Sequence, residues 1–99
     1  MENAQNLDEL LEAIISIQNK KELEDLFREI LTEAEIKDIV FRWRLMKDLL
    51  DGESQRNISK KYGISLCKIT RGSKVLKKEN SISKRLILEA IRRKTDGNC

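Results

Sequence analysis

Between Ser54 and Ser73 the chain reads SQRNISKKYGISLCKITRGS, a stretch rich in side chains that donate hydrogen bonds. Gln55, Arg56 and Lys60 fall on a first short helical run, and Lys68, Thr70 and Lys74 on a second. Arginine can take guanine through a bidentate pair, whereas lysine usually meets phosphate. That chemistry is what reading DNA requires. Arg71 stands apart, because it is followed at once by Gly72 partway along the second run, where packing gives no reason for an Arg-Gly pair.

The apolar residues of the same stretch say how those donors are held. Ile58 and Tyr62 are four apart, Gly63 follows where a helix C-cap needs positive φ, and Ile64 starts a turn. Ser65 can N-cap the next helix, and Leu66 and Ile69 then face the first one. Ser59 is small enough to let two helices cross closely. This is the helix-turn-helix pattern, whose second helix enters the major groove. The bland alternative is a helical hairpin with a basic surface. Cys67, on that second helix, reads as a small apolar side chain rather than a redox switch.

The remaining elements are also helical. Asn6 with Glu9, Asn19 with Glu22, and Thr32 with Glu35 have capping-box spacing, and Gly52 supplies a stop. In the long helix between Thr32 and Gly52, Ile36, Ile39, Val40, Trp43, Met46 and Leu50 make one apolar face. Phe41, Leu45 and Leu49 make a second. A helix apolar on two faces is covered on two sides, and in so small a chain a second subunit is the natural cover; a monomer whose other helices supply both walls is the alternative. The spacing predicts Trp43 in the core. Short helices are expected over Gln55–Tyr62 and Leu66–Leu76, and a last one over Ile82–Lys94 with Ile82, Leu86, Leu88 and Ile91 apolar, followed by a frayed TDGNC.

Composition narrows the classes. The 99 residues are 39% hydrophobic and 37% charged, without proline or histidine. No uncharged apolar run approaches the ~18 residues of a membrane span. Acids stand where a signal peptide would be basic, so a cytoplasmic protein with no membrane association is expected. Cys67 and Cys99 are too few for a disulfide framework, and the lack of histidine argues against zinc and against histidine-based catalysis. No enzyme is expected. Residues 1–53 hold 7 Lys and Arg against 14 Asp and Glu, a net of −7, while residues 54–99 hold 13 against 3, a net of +10. A basic half on an acidic body is the electrostatic footprint of a nucleic-acid binder.

At TRGS, Thr70–Ser73, with LTEAEIKDIVFRWRLMKDLL and GESQRNISKKYG before it and KVLKK after it, the sequence resembles the bacterial trp repressor family. The resemblance covers roughly Leu31–Lys78. It implies an all-α, intertwined homodimer of about six short helices that binds double-stranded operator DNA, with L-tryptophan as corepressor, seated between the central helix of one subunit and the reading helix of the other, and no other cofactor. Residues 1–99 would form one such domain: 1–53 for dimerisation and ligand, 54–77 for the helix-turn-helix, 78–99 for a C-terminal helix. Arg71 would pair with the ligand carboxylate, as suits a guanidinium fork. Arg42 would lie against the indole, Thr32 would stand at the start of the central helix, and Gly72 would let the ligand approach the backbone. On the DNA side the resemblance assigns Arg56 to bases, Gln55 to backbone or base edge, and Leu66, Cys67, Lys68 and Thr70 to the reading helix's contacts. Arg44, Lys74 and Lys77 would be phosphate anchors. The turn GESQRN is one residue shorter than in well-known members, and Val75 stands where a serine can meet the ligand's amino group. A tryptophan-dependent repressor of tryptophan genes is therefore the expectation. A same-fold repressor that does not need tryptophan, or a protein-interaction module, is the alternative.

Overall fold

Helix ends leave backbone groups without partners, and short polar side chains set most of the boundaries here. The computed structural model describes residues 2–97 as six helices: α1 (Glu2–Ser16), α2 (Lys20–Ile30), α3 (Glu33–Leu50), α4 (Gln55–Tyr62), α5 (Leu66–Lys77) and α6 (Ile82–Gly97). No strand occurs among the described residues, so the all-α expectation holds. Asn19 Oδ1 accepts the Glu22 N–H at 2.8 Å, opening α2. Thr32 and Glu35 form the full capping box of α3: the Thr32 N–H donates to Glu35 Oε1 at 2.8 Å, and the Glu35 N–H to Thr32 Oγ1 at 3.1 Å. Ser54 caps α4 and Ser81 caps α6, each accepting a backbone N–H at 3.1 Å. Gly63, with φ 64°, turns the chain out of α4 in the left-handed region, as a C-cap requires.

Three boundaries differ from expectation. Asn6 lies inside α1, because the helix formers before it carry the helix back to Glu2. Ser65 has the extended N-cap backbone but makes no side-chain cap bond. α6 runs past Lys94 to Gly97, since no stop residue intervenes before that glycine. Asn98 and Cys99 lie outside the described residues.

Packing divides the chain into two units that meet between Lys37 and Asp38. In the first, none of residues 6–37 is buried, and Leu7, Leu11, Ile15, Phe27 and Ile30 are exposed. Its ion pairs, Lys21–Asp25 at 2.8 Å and Arg28 with Glu24 and Glu33 at 3.0 and 3.2 Å, lie on the surface. Such exposed pairs are screened by solvent and add little to stability.

The second unit has a core. Leu45 of α3, Ile58 of α4 and Ile69 of α5 form it, with Phe41, Leu49, Tyr62 and Ile64 around them. Leu76 and Ile87 are also buried. Here the fold corrects the sequence in three places. Among the described side chains of α6 the buried one is Ile87, whereas Ile82, Leu86 and Leu88 are exposed. Leu66 is exposed too, so Ile69 alone makes the contact with α4 expected of both. Trp43 is 37% exposed and Val40 50%, because the core that α4 and α5 share with α3 takes up the Phe41–Leu45–Leu49 stripe instead.

Two polar contacts fix the α4–α5 hairpin. Ser59 Oγ donates to the Ile64 carbonyl at 2.6 Å, and the Ile64 N–H returns a bond to the Ser59 carbonyl at 3.2 Å. Ser59 therefore acts through its hydroxyl as well as its size. Tyr62 Oη donates to Asp48 Oδ2, tying the end of α4 to α3. The Tyr62 ring meets Phe41 edge-on, with centroids 5.1 Å apart. Lys61 reaches Glu53 at 3.3 Å and Asp48 at 3.5 Å. Among the described residues no helix is long and apolar enough to cross a membrane.

The bond to Asp48, then burial, hold the Tyr62 phenol above its usual 10.0. A raised folded-state value means that this stability is fully present below pH 10 and is lost as pH climbs through the raised value. Tyr62→Phe should lower unfolding stability at neutral pH by about 1.5 kcal/mol, the size of a hydrogen bond to a charged acceptor. It should also flatten the alkaline decline above pH 10. Urea titrations at pH 7 and across the alkaline range, at one protein concentration, measure both.

Candidate functional site

The rotation of α5 about its axis decides which side chains are offered to what. With Ile69 turned into the core, a spacing of about 100° per residue puts Gly72, Lys68, Val75 and Arg71 on one flank. Leu66, Lys77, Thr70, Lys74 and Cys67 fall on the other. The observed surroundings agree with this division.

The first flank faces α3 across a groove of about 520 Å³. Its α3 wall is Asp38, Phe41, Arg42, Leu45 and Met46, residues spaced to share one helix face. Its α5 wall is Lys68, Arg71, Gly72 and Val75, with Ile64 from the turn and Ser83 from α6 completing it. The volume lies within the range of small-molecule sites. Gly72 is buried at the closest approach of the walls, where an added Cβ would stand 3.5 Å from Met46 Cγ and 3.7 Å from Leu45 Cδ2. That is ordinary van der Waals contact, so glycine is not a steric necessity for packing. Its lack of a side chain leaves groove floor open.

Of the expected ligand residues, Arg42, Arg71 and Gly72 therefore share one groove within a single chain, where the expectation set the central and reading helices of two different subunits against each other. Thr32 belongs to the first unit, and its hydroxyl is the acceptor of the α3 capping box. The charged lining is three cations, Arg42, Lys68 and Arg71, against one carboxylate, Asp38. Sequence reasoning passed over Asp38, Phe41, Met46, Ile64 and Ser83. The i, i+3, i+4 spacing of Asp38 and Phe41 before Arg42 and Leu45 was a signal that could have found the α3 members.

The second flank is open. Leu66, Cys67, Thr70, Lys74 and Lys77 are exposed along it, and Arg56 is exposed on α4. Thr70 Oγ1 lies 2.9 Å from the Leu66 carbonyl and 3.3 Å from Gln55 Oε1, so two of the expected DNA contacts touch each other across the hairpin. Arg44 is exposed on α3. Lys68 differs from the other reading-helix residues: its side chain is exposed but lines the groove. Among the described residues no cluster of His, Cys, Asp or Glu could hold a metal ion.

A helical hairpin with a basic outer flank, backed by a charged groove, is the architecture against which the comparisons with known proteins are read. A family profile described as "Trp repressor protein" matches residues 5–91. A Trp operon repressor homolog of Chlamydia trachomatis serovar D is 47% identical over 62 residues, which are 62% of this chain and 66% of that protein. The chain thus spans about two thirds of that relative. Trp operon repressor homologs of Xylella fastidiosa strain M23 and Vibrio parahaemolyticus are 31% identical over 81 residues and 33% identical over 87. The first alignment covers 81% of this chain and 88% of the relative, the second 84% of each. No solved structure matches the chain. With 5–91 matched end to end by the family profile, and the helical architecture in keeping with it, this chain belongs to the Trp repressor family, a family of repressor-type regulators.

Proposed function

We propose that this chain is a cytoplasmic, homodimeric transcriptional repressor that binds operator DNA when L-tryptophan occupies the groove between α3 and α5, and that it controls tryptophan genes. The observation that carries this reading is the groove's position. It backs directly onto the helix whose outer flank bears Thr70, Lys74 and the base-facing residues, so an occupant bears on that helix. Arg71 supplies a fork for the ligand carboxylate, Arg42 a flat cation for the indole, and Gly72 the open floor. Arg56 reads bases, with Gln55, Leu66, Cys67 and Thr70 beside it. Lys74, Lys77 and Arg44 anchor phosphates, and Lys68 joins them from the rim of the groove. Thr32, as the cap of α3, holds the start of the helix that forms one wall.

The homodimer is supported by what the single chain leaves uncovered. Ile39, Val40 and Trp43 form an exposed apolar face on α3, and the first unit buries no described side chain. Both patterns fit helices whose cover comes from a second copy.

Calorimetric titration with L-tryptophan tests the ligand reading. One saturable site per chain is expected, and Arg71→Ala should weaken it by about 2 kcal/mol, roughly thirtyfold, the size of a charge-assisted contact. Operator DNA should bind tightly only with L-tryptophan present, with a steep fall in affinity as salt rises. No heat from a folded dimer that still binds DNA would establish the tryptophan-independent repressor, and no DNA binding at all would favour the interaction module. Gly72→Ala should keep or raise thermal stability, since alanine favours helix by up to about 1 kcal/mol, while its methyl on the groove floor lowers tryptophan affinity. Val40→Glu should halve the mass seen in sedimentation to that of one 11.6 kDa chain and shift the emission of the single tryptophan, Trp43, to longer wavelength.

A further inference from the structure

The groove carries opposite charges that do not neutralise one another. Asp38, Arg42 and Arg71 all line it, and among the described residues none of them makes an ion pair or a side-chain hydrogen bond. Asp38 and Arg42 stand four apart on α3, a spacing that favours closure of a pair. Lys21 and Asp25 close theirs at 2.8 Å with the same spacing, yet Asp38 and Arg42 stay apart. Arg71 stands on the opposite wall. A ligand bearing only a carboxylate would satisfy the arginines and be repelled by Asp38. A ligand bearing ammonium and carboxylate on one carbon answers both walls at once. Val75, one turn beyond Arg71 on the α5 wall, has no side-chain atom that accepts a hydrogen bond.

We propose that Asp38 accepts the ammonium of the bound ligand, and so makes the groove selective for a zwitterionic α-amino acid over the corresponding carboxylic acid. This rests on the reading of the groove as a tryptophan site. Ser83 is the competing acceptor, since its hydroxyl also borders the groove. Charge favours Asp38, because a carboxylate adds ion-pair attraction to the ammonium's hydrogen bond and a hydroxyl does not. The side chain stands at the surface and packs into no core, so its replacement leaves the fold intact.

Wild type, Asp38→Asn and Ser83→Ala are each titrated by calorimetry with L-tryptophan and with indole-3-propionate, which keeps the indole and carboxylate but lacks the amine. Circular dichroism melts accompany each variant. The wild type is expected to prefer L-tryptophan by about tenfold or more, the size of one charge-assisted hydrogen bond. Asp38→Asn should abolish that preference, weakening L-tryptophan and strengthening indole-3-propionate, while Ser83→Ala keeps it. A preference that survives in Asp38→Asn, or that is lost in Ser83→Ala instead, overturns the role of Asp38. So does a wild type that binds indole-3-propionate as well as L-tryptophan, an outcome that leaves the tryptophan site standing. A wild type that binds neither compound overturns both.

Discussion

One apolar joint governs the second unit: Leu45, Ile58 and Ile69, drawn from three helices and almost without exposure. It does more than add the few kcal/mol that burial of each side chain contributes. By turning Ile69 inward it sets the rotation of α5, and a helix has no freedom left once one of its side chains is fixed in azimuth. A shift of one residue in that packing would swing the flanks by about 100°. Arg71 would leave the groove, and Thr70 and Lys74 would leave the outer face. Division of labour between the two flanks is thus a consequence of where a single isoleucine points.

The joint is also small, and that bears on how an occupant of the groove could act. The hairpin of α4 and α5 is held by that joint, by the Ser59–Ile64 pair of bonds and by the Tyr62–Asp48 bond. Of these, the joint and the Tyr62 bond run to α3, one wall of the groove; α5 is the other wall. A ligand touching both walls binds best at one separation of them, and a ligand shifts an equilibrium only by such a difference in affinity. Under the proposed function, the distance between α3 and α5 is therefore the variable that couples the groove to the outer flank of α5. Lys68 sits at the junction, exposed enough to meet phosphate and placed along the groove wall. Under the same proposal its charge serves both sites, so that occupancy of one alters its availability to the other.

Most of the fold was legible because its signals are local. Asn19, Thr32, Ser54 and Gly63 each mark a boundary through chemistry confined to three or four residues. The α4–α5 hairpin follows from Ile58, Gly63 and Ile69 in the same way. Legibility fails where a choice depends on distant neighbours. Periodicity showed that α3 has two apolar stripes, but not that Phe41, Leu45 and Leu49 would be the pair-mates of α4 and α5 while Trp43 stays at the surface. It placed apolar residues on α6 without revealing that Ile87 is the one buried. In the site, Arg71 and Gly72 stood out by type. Asp38 did not, because an aspartate on an exposed helix face looks like any other until the opposite wall is known.

The unequal state of the two units carries a last consequence. The second buries side chains on its own; the first, over residues 6–37, buries none, although α2 and the start of α3 are capped. A cap contributes about one kcal/mol and solvent-screened ion pairs add little, too little to hold helices of this length alone. Under the proposed function, the first unit draws its stability from burial against a second copy. Folding of the first unit is then linked to protomer concentration. α3 starts in that unit and forms a groove wall in the other, so under the proposed function one helix serves both the dimer and the ligand.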